Sequence, residues 1–255
     1  MTPIFYRESG SGPAIVLIHG FPFDHRIWDG FAQRLSSSFH VFVPDLPGFG
    51  KSPLEPMTFS LDDIAVMLCD WLRQTGIAPA AIVGHSLGGY VALGMMAHGE
   101  DLITSVTLFH STAEADSEEK KQSRDKAIAF IDEHGVGAFS SSFIAPLFAN
   151  SAHPGVAHVR SIARDAPAAT VKGYLQAMRE RPDRTNLIAS FQKPMLFLAG
   201  ELDKGIPVES IQRQASLGKS TEVRVLSNVA HMGMMEAEKE AGDALLIFLR
   251  KKSVT

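Results

Sequence analysis

The stretch from Ala80 to Ala97, AAIVGHSLGGYVALGMMA, constrains the fold more than any other part of the chain. Ala81, Ile82 and Val83 form a short apolar run without alternation, the pattern of a strand covered on both faces. After Ser86 the apolar residues continue at helical spacing. Between the two lies Gly84-His85-Ser86-Leu87-Gly88, with glycines two before and two after the serine. That spacing lets strand and helix pack closely around a tight elbow and holds the hydroxyl open at the sheet's edge. The pentapeptide alone says little, because this glycine and serine content yields it by chance in about one such sequence in seven. A strand before it and a helix after it give it weight.

The flanking chain repeats the same rhythm. Ile4 to Arg7 and Ala14 to Ile18 read as strands, and the second ends in the loop His19-Gly20-Phe21-Pro22 at the carboxyl edge of the sheet, where ligands bind in open α/β folds. Ile27 to Leu35 reads as a helix, and Phe39 to Val43 as a strand followed by the shaped loop Asp45 to Ser52. Ser60 and Asp63 are spaced as a capping box, and Leu61, Ile64, Ala65, Leu68 and Leu72 fall on one face of a helix that Gly76 ends. Ser105 to Phe109 is again a strand. From about Ala113 the rhythm breaks into a helical pattern with turn signals at Gly135, Pro154 and Pro167, and Asp116 to Asp125 reads as a solvated helix face. Strands resume at Met195 to Ala199 and Glu222 to Leu226, with helices over Val208 to Leu217 and Glu236 to Lys251. The order implies a mostly parallel sheet of about seven strands with helices on both faces. The division expected is a core of residues 1–112 and 194–255, with residues 113–193 as a helical cap inserted late in the sheet.

Composition narrows the function classes. A net charge of −4, with both signs spread along 255 residues, gives no basic surface for nucleic acid. The single cysteine, Cys69, excludes an internal disulfide and a multi-cysteine metal site and reads as core filler on a helix. No secretory leader or membrane span is legible, so the expectation is a soluble, cytoplasmic protein. A homodimer is compatible with the sequence.

A serine hydroxyl needs a base within hydrogen-bond reach, itself held by a third group. Of ten histidines, His231 is the one on a loop after a late core strand and downstream of a similarly placed acid, Asp203. Glu201 is the second choice for the acid. The chain order Ser86, Asp203, His231 is that expected when nucleophile, acid and base converge at one sheet edge.

Five pieces together, HGFP at His19, DLPGFGKS at Asp45, GHSLGG at Gly84, GELDKGIP at Gly200 and NVAHMG at Asn228, resemble the α/β-hydrolase fold enzymes over nearly the whole chain. The resemblance implies the α/β-hydrolase fold, with Ser86 as nucleophile, His231 as general base and Asp203 as its orienting partner. It also implies an oxyanion hole from the backbone N–H groups of Phe21 and Leu87. No metal or organic cofactor is needed for such chemistry. The cap resembles those of carboxylesterases, enol-lactonases and non-haem haloperoxidases, so the expected activity is hydrolysis of a small carboxylic ester or related acyl compound through an acyl-enzyme. Two rivals are a cofactor-free lyase using the same Ser/His pair for proton abstraction, and a non-catalytic receptor on the same scaffold. His110 and Met232 are candidate pocket residues; Met234 and Met235 read mainly as packing. His19 and His85 are expected to shape loops, and Asp45 to organise the loop it opens.

Overall fold

Among the described residues seven strands form one sheet: β1 (Tyr6–Ser9), β2 (Ala14–Ile18), β3 (His40–Pro44), β4 (Ala80–His85), β5 (Ile103–Phe109), β6 (Met195–Gly200) and β7 (Thr221–Leu226). Their spatial order is β1-β3-β2-β4-β5-β6-β7, with β1 antiparallel to β3 and every other pair parallel. This computed structural model describes residues 3–55 and 58–252. Met1 and Thr2, the start of the stretch read for a leader, and the last three residues of the expected core segment lie outside the described residues.

The unbroken apolar run of β2 has a direct cause. Ile15 and Leu17 enter one apolar cluster with Phe31 and Leu35 of α1 (Asp29–Leu35) and with Leu245 and Phe248 of α10 (Glu238–Lys252). Val16 and Ile18 enter the opposite cluster with Ile64 and Leu68 of α2 (Leu61–Thr75) and Val91 of α3 (Leu87–His98). These four of the five β2 side chains are fully buried, and each such burial contributes about 1.5–3 kcal/mol. The Ser60 hydroxyl accepts from the Asp63 N–H and the Asp63 carboxylate from the Ser60 N–H, which forms the expected capping box; Gly76 closes α2 at φ 68°. Cys69 is buried on the same helix, where burial pushes its thiol up to about 11.

Most boundaries fall within two residues of the sequence expectation, including β3, β5, β7 and α8, and three differences have a clear cause. β1 runs over Tyr6–Ser9 rather than Ile4 to Arg7, because pairing with β3 fixes the register of this half-exposed edge strand. The helix expected over Ile27 to Leu35 begins as a 3₁₀ turn, His25–Trp28, capped by the Asp24 carboxylate. The last helix is broken at Ala237 into α9 (Gly233–Glu236) and α10. The cause of that break lies in the Glu236 side chain, described below.

Between β5 and β6 the chain forms α4 (Glu118–Phe143), α5 (Gly155–Asp165), α6 (Ala168–Arg179) and α7 (Thr185–Ser190), with no strand among the described residues. The turn signals fall at the breaks: Gly135 kinks α4 at φ 77°, and Pro154 and Pro167 precede α5 and α6. After β6 comes α8 (Val208–Ala215). The start of α4 is tied to the end of α6 by Asp116, which is buried and accepts from Arg181 Nη1 at 2.6 Å and from the Arg124 guanidinium. Burial alone would raise the Asp116 carboxyl, but the two guanidiniums outweigh it and hold it below the ordinary carboxylate range. Asp116→Ala leaves two largely buried cations without their counter-charge, and is expected to destabilise the protein by about 3–5 kcal/mol, read as a lower midpoint in urea.

Candidate active site

The chain order reverses at β2, which lies between β3 and β4, so the loops leaving β2 and β4 diverge at a crevice on the carboxyl edge. Ser86 sits there, half-buried, at φ 51° and ψ −113°. This backbone conformation costs on the order of 1–3 kcal/mol and persists only because its surroundings hold it. Ser86 N–H donates to the Phe109 carbonyl at 3.0 Å, and the Ser111 hydroxyl donates to the Ser86 carbonyl at 2.7 Å. Any side chain at Gly84 would lie 2.3 Å from the Gly88 carbonyl oxygen, and any at Gly88 the same distance from that of Ile18. Both glycines are therefore fixed by close packing. Leu87 follows the serine as the first residue of α3 and Phe21 lines the same cavity as Ser86, and neither backbone N–H has a partner among the described residues.

The loop after β6 presents Asp203, whose Oδ1 accepts from the N–H groups of Gly205 (2.9 Å) and Ile206 (3.1 Å). Its Oδ2 lies 2.7 Å from His231 Nδ1 on the loop after β7. Burial pushes the Asp203 carboxyl up, but the His231 and His110 rings together outweigh it and hold it far below the ordinary carboxylate range. An ionised Asp203 accepts from His231 Nδ1–H, which leaves the Nε2 lone pair of His231 free to take a proton. His231 and Ser86 line one cavity. Their side chains are not hydrogen-bonded to each other among the described residues, and such contacts are commonly long without substrate.

Three supports of the histidine were not legible as such. Glu236 Oε1 accepts from Ala230 and Met232 N–H, both at 3.1 Å, gripping the backbone on either side of His231. Its Oε2 accepts from Ala149 N–H at 2.7 Å. This grip is why the helix breaks at Ala237: the carboxylate reaches back over the preceding loop instead of continuing a helical face. His85 Nε2–H donates to the His231 carbonyl at 2.9 Å, and His231 N–H donates to the Leu147 carbonyl at 2.9 Å. Burial, aided by neighbouring His231 and His110, drives the His85 pKa well down, so the ring is neutral.

His110 and Met232, expected in the pocket, do not line it. Both are fully buried: Met232 packs in the cluster on the α1/α10 side, and His110 stands behind Asp203. His110 Nε2 accepts from Gly233 N–H at 3.2 Å, so Nδ1 carries the proton and faces Asp203 Oδ2 at 3.5 Å. Glu201 is exposed and accepts from Asn228 N–H, away from His231. Asp45 organises its loop as expected, accepting from His25 N–H and His25 Nδ1 on one oxygen and from Lys51 N–H on the other. His19 Nε2 accepts from Leu46 N–H at 2.9 Å and bridges the two loops. Two groups, Asp24/His25/Asp45 and His110/Asp203/His231, bring ligand-type atoms within 4.8 Å of one another. In both, the carboxylates are already engaged: Asp24 by the Arg26 guanidinium, and Asp45 and Asp203 by the donors just named.

The cavity over Ser86 measures about 460 Å³. Phe21, Phe139 and Phe143 form an aromatic wall, with the Phe139 and Phe143 rings stacked at 5.0 Å. The run Asp116 to Asp125 is mostly exposed, as expected of a solvated helix face, with exceptions at its start and along the stripe that borders the cavity. Asp116 is buried, and Lys120, Ser123 and Arg124 turn toward the cavity.

The profile of the alpha/beta hydrolase family matches residues 15–244. The chain belongs to this family. Among relatives of this α/β hydrolase is the pimeloyl-[acyl-carrier protein] methyl ester esterase of Vibrio cholerae serotype O1, 28% identical over 245 residues and covering 92% of this chain and 94% of the relative. An esterase from Thermogutta terrifontis, solved with malate bound, superposes with a TM-score of 0.92 at 29% identity, covering 98% of this chain and 93% of that one. The enol-lactonase of Burkholderia xenovorans LB400 shares the fold, with a TM-score of 0.90 at 20% identity over 98% of this chain and 97% of that one. No helix among the described residues is long and apolar enough to cross a membrane.

Proposed function

We propose that this α/β hydrolase is a serine esterase that cleaves carboxylic esters through an acyl-enzyme. The observation that carries the reading is the 2.7 Å contact of Asp203 with His231, set across the same cavity from a serine on a strained elbow. Esterases among its relatives support it, including one that acts on a methyl ester. Ser86 Oγ attacks the ester carbonyl while His231 Nε2 takes its proton. The N–H groups of Phe21 and Leu87 donate to the developing oxyanion, a contribution of about 10²–10³ in rate per donor. As the intermediate collapses, the proton passes from His231 to the leaving alcohol. Water, deprotonated by His231, then attacks the acyl-enzyme, and Ser86 recovers its proton. Residues 113–193 act as the cap that walls the cavity.

Rapid mixing with p-nitrophenyl acetate tests this directly. A burst approaching one p-nitrophenolate per chain, followed by slower turnover, is expected, together with a single fluorophosphonate adduct on the peptide containing Ser86. Absence of both burst and adduct would overturn the reading.

A further inference from the structure

The lining of the cavity over Ser86 combines two unlike sets of residues. One is the aromatic wall, extended by Leu175 and Met178. The other is cationic. Lys120, Ser123, Arg124 and Ala127 occupy positions i, i+3, i+4 and i+7 of α4, the stripe that one face of a helix presents to a single surface. A stripe closing an apolar cavity is expected to be apolar, yet three of these four residues are polar and two are cations. Lys204, from the loop carrying Asp203, adds a third cation to the lining.

The nearby acids do not neutralise this set. Asp203 is the one acidic residue in the lining, and its oxygens are engaged by Gly205 and Ile206 N–H and by His231. Asp116 is shared between Arg124 and Arg181, so one carboxylate faces two guanidiniums. Neither Lys120 nor Lys204 forms an ion pair among the described residues; Lys120 donates to the Gly205 carbonyl at 3.1 Å, which fixes its ammonium at the mouth. In a chain of net charge −4, this is a local excess of positive charge facing the space where substrate must lie.

We infer that the preferred substrate is an ester bearing a second, anionic group, a carboxylate or phosphate, held by Lys120, Arg124 and Lys204 while its apolar chain lies along the aromatic wall. This rests on the esterase reading and names the substrate class for that same site. The three cations bind the second group of the substrate rather than the reacting carbonyl, so their effect falls on kcat/KM.

The test compares aliphatic ethyl esters of matched length that end in a methyl group, a carboxylate or a phosphate. With the wild-type enzyme, at least one anionic series is expected to exceed the neutral one by about 10-fold or more in kcat/KM, an advantage that shrinks as salt rises. The faster of the two identifies the anion. In Lys204→Met and Lys120→Met the ratio of anionic to neutral kcat/KM should fall several-fold. Lys204→Met is the cleaner variant, because Lys120→Met also removes the bond to Gly205. Equal or slower turnover of both anionic series, or a ratio unchanged in both variants, would overturn the inference. If no ester of any kind is turned over, the esterase reading fails, and the cation cluster is then judged by calorimetry. Octanedioate should bind more tightly than octanoate, with the difference diminished in Lys204→Met; equal affinity would overturn the inference there too.

Discussion

Replacing Ser86 by alanine is expected to lower kcat on p-nitrophenyl esters by about 10⁴-fold or more and to leave the fold unchanged. Alanine carries the same Cβ as serine, so the elbow at φ 51° is neither relieved nor strained further, and the contacts of Ser86 N–H with Phe109 and of its carbonyl with Ser111 are made by the backbone. Only the nucleophilic oxygen is lost. Asp203→Asn should cost somewhat less, roughly 10³–10⁴-fold, because the hydroxyl and its oxyanion donors survive and what fails is the tautomer of His231. Steady-state kcat and urea midpoints for both variants check this. Activity of Ser86→Ala within tenfold of wild type would remove the serine from the reaction.

The second large effect is on stability in mild acid. His19, His85 and His110 are fully buried, and burial lowers the pKa of each. The geometry agrees. His19 Nε2 and His110 Nε2 each accept from a backbone N–H, so protonation would set donor against donor, and His85 Nδ1 has no partner to receive a new proton. Because the folded pKa values lie below the unfolded value of about 6.5, the unfolded chain binds more protons in between, and stability rises with pH. The contribution is whole above pH ~6.5 and is lost as pH falls below it. Each such site adds a slope of at most about 1.4 kcal/mol per pH unit between its folded and unfolded pKa, set against a total stability of about 5–15 kcal/mol. Stability is therefore expected to fall through the mildly acidic range, before ordinary carboxylates titrate. Urea midpoints at pH 8, 7, 6 and 5.5 should be level between the first two and fall steeply after. A flat profile to pH 5 would show that these rings take up protons in the folded state at little cost.

Much of the fold is legible in the sequence wherever one local interaction decides the structure. The unalternating run Ala14 to Ile18 gives β2 with both ends right, because burial on two faces leaves no polar position. Ser60 and Asp63 give the start of α2 because the capping box is complete within four residues. The elbow is legible because strand, glycines and helix are contiguous. What escapes is set by partners far along the chain. The ends of β1 follow from its register on β3. The break before α10 follows from Glu236 reaching Ala149, Ala230 and Met232, and no spacing marks a glutamate that accepts from backbone 87 residues away. For His110 and Met232 the loop position is right and the direction wrong: both side chains turn into packed interior rather than toward the cavity. Lys120 and Arg124 look like any solvated charges until α4 is seen folded over the site.

The two hydrogen bonds from His231 N–H to Leu147 and from Ala149 N–H to Glu236 have a consequence for anyone rebuilding this enzyme. Residues 147–149 belong, by chain position, to the helical insertion, yet they brace the loop that carries the histidine. Exchanging the whole insertion for that of a relative would disturb the loop that carries His231 along with the pocket. A graft of α5 and α6 alone, spliced after Ala149, keeps the brace and alters the cavity only where Leu175 and Met178 line it. The insertion thus divides at Ala149 into a first part that both walls the cavity through α4 and braces the histidine loop, and a second part that reaches the cavity only through Leu175 and Met178 of α6.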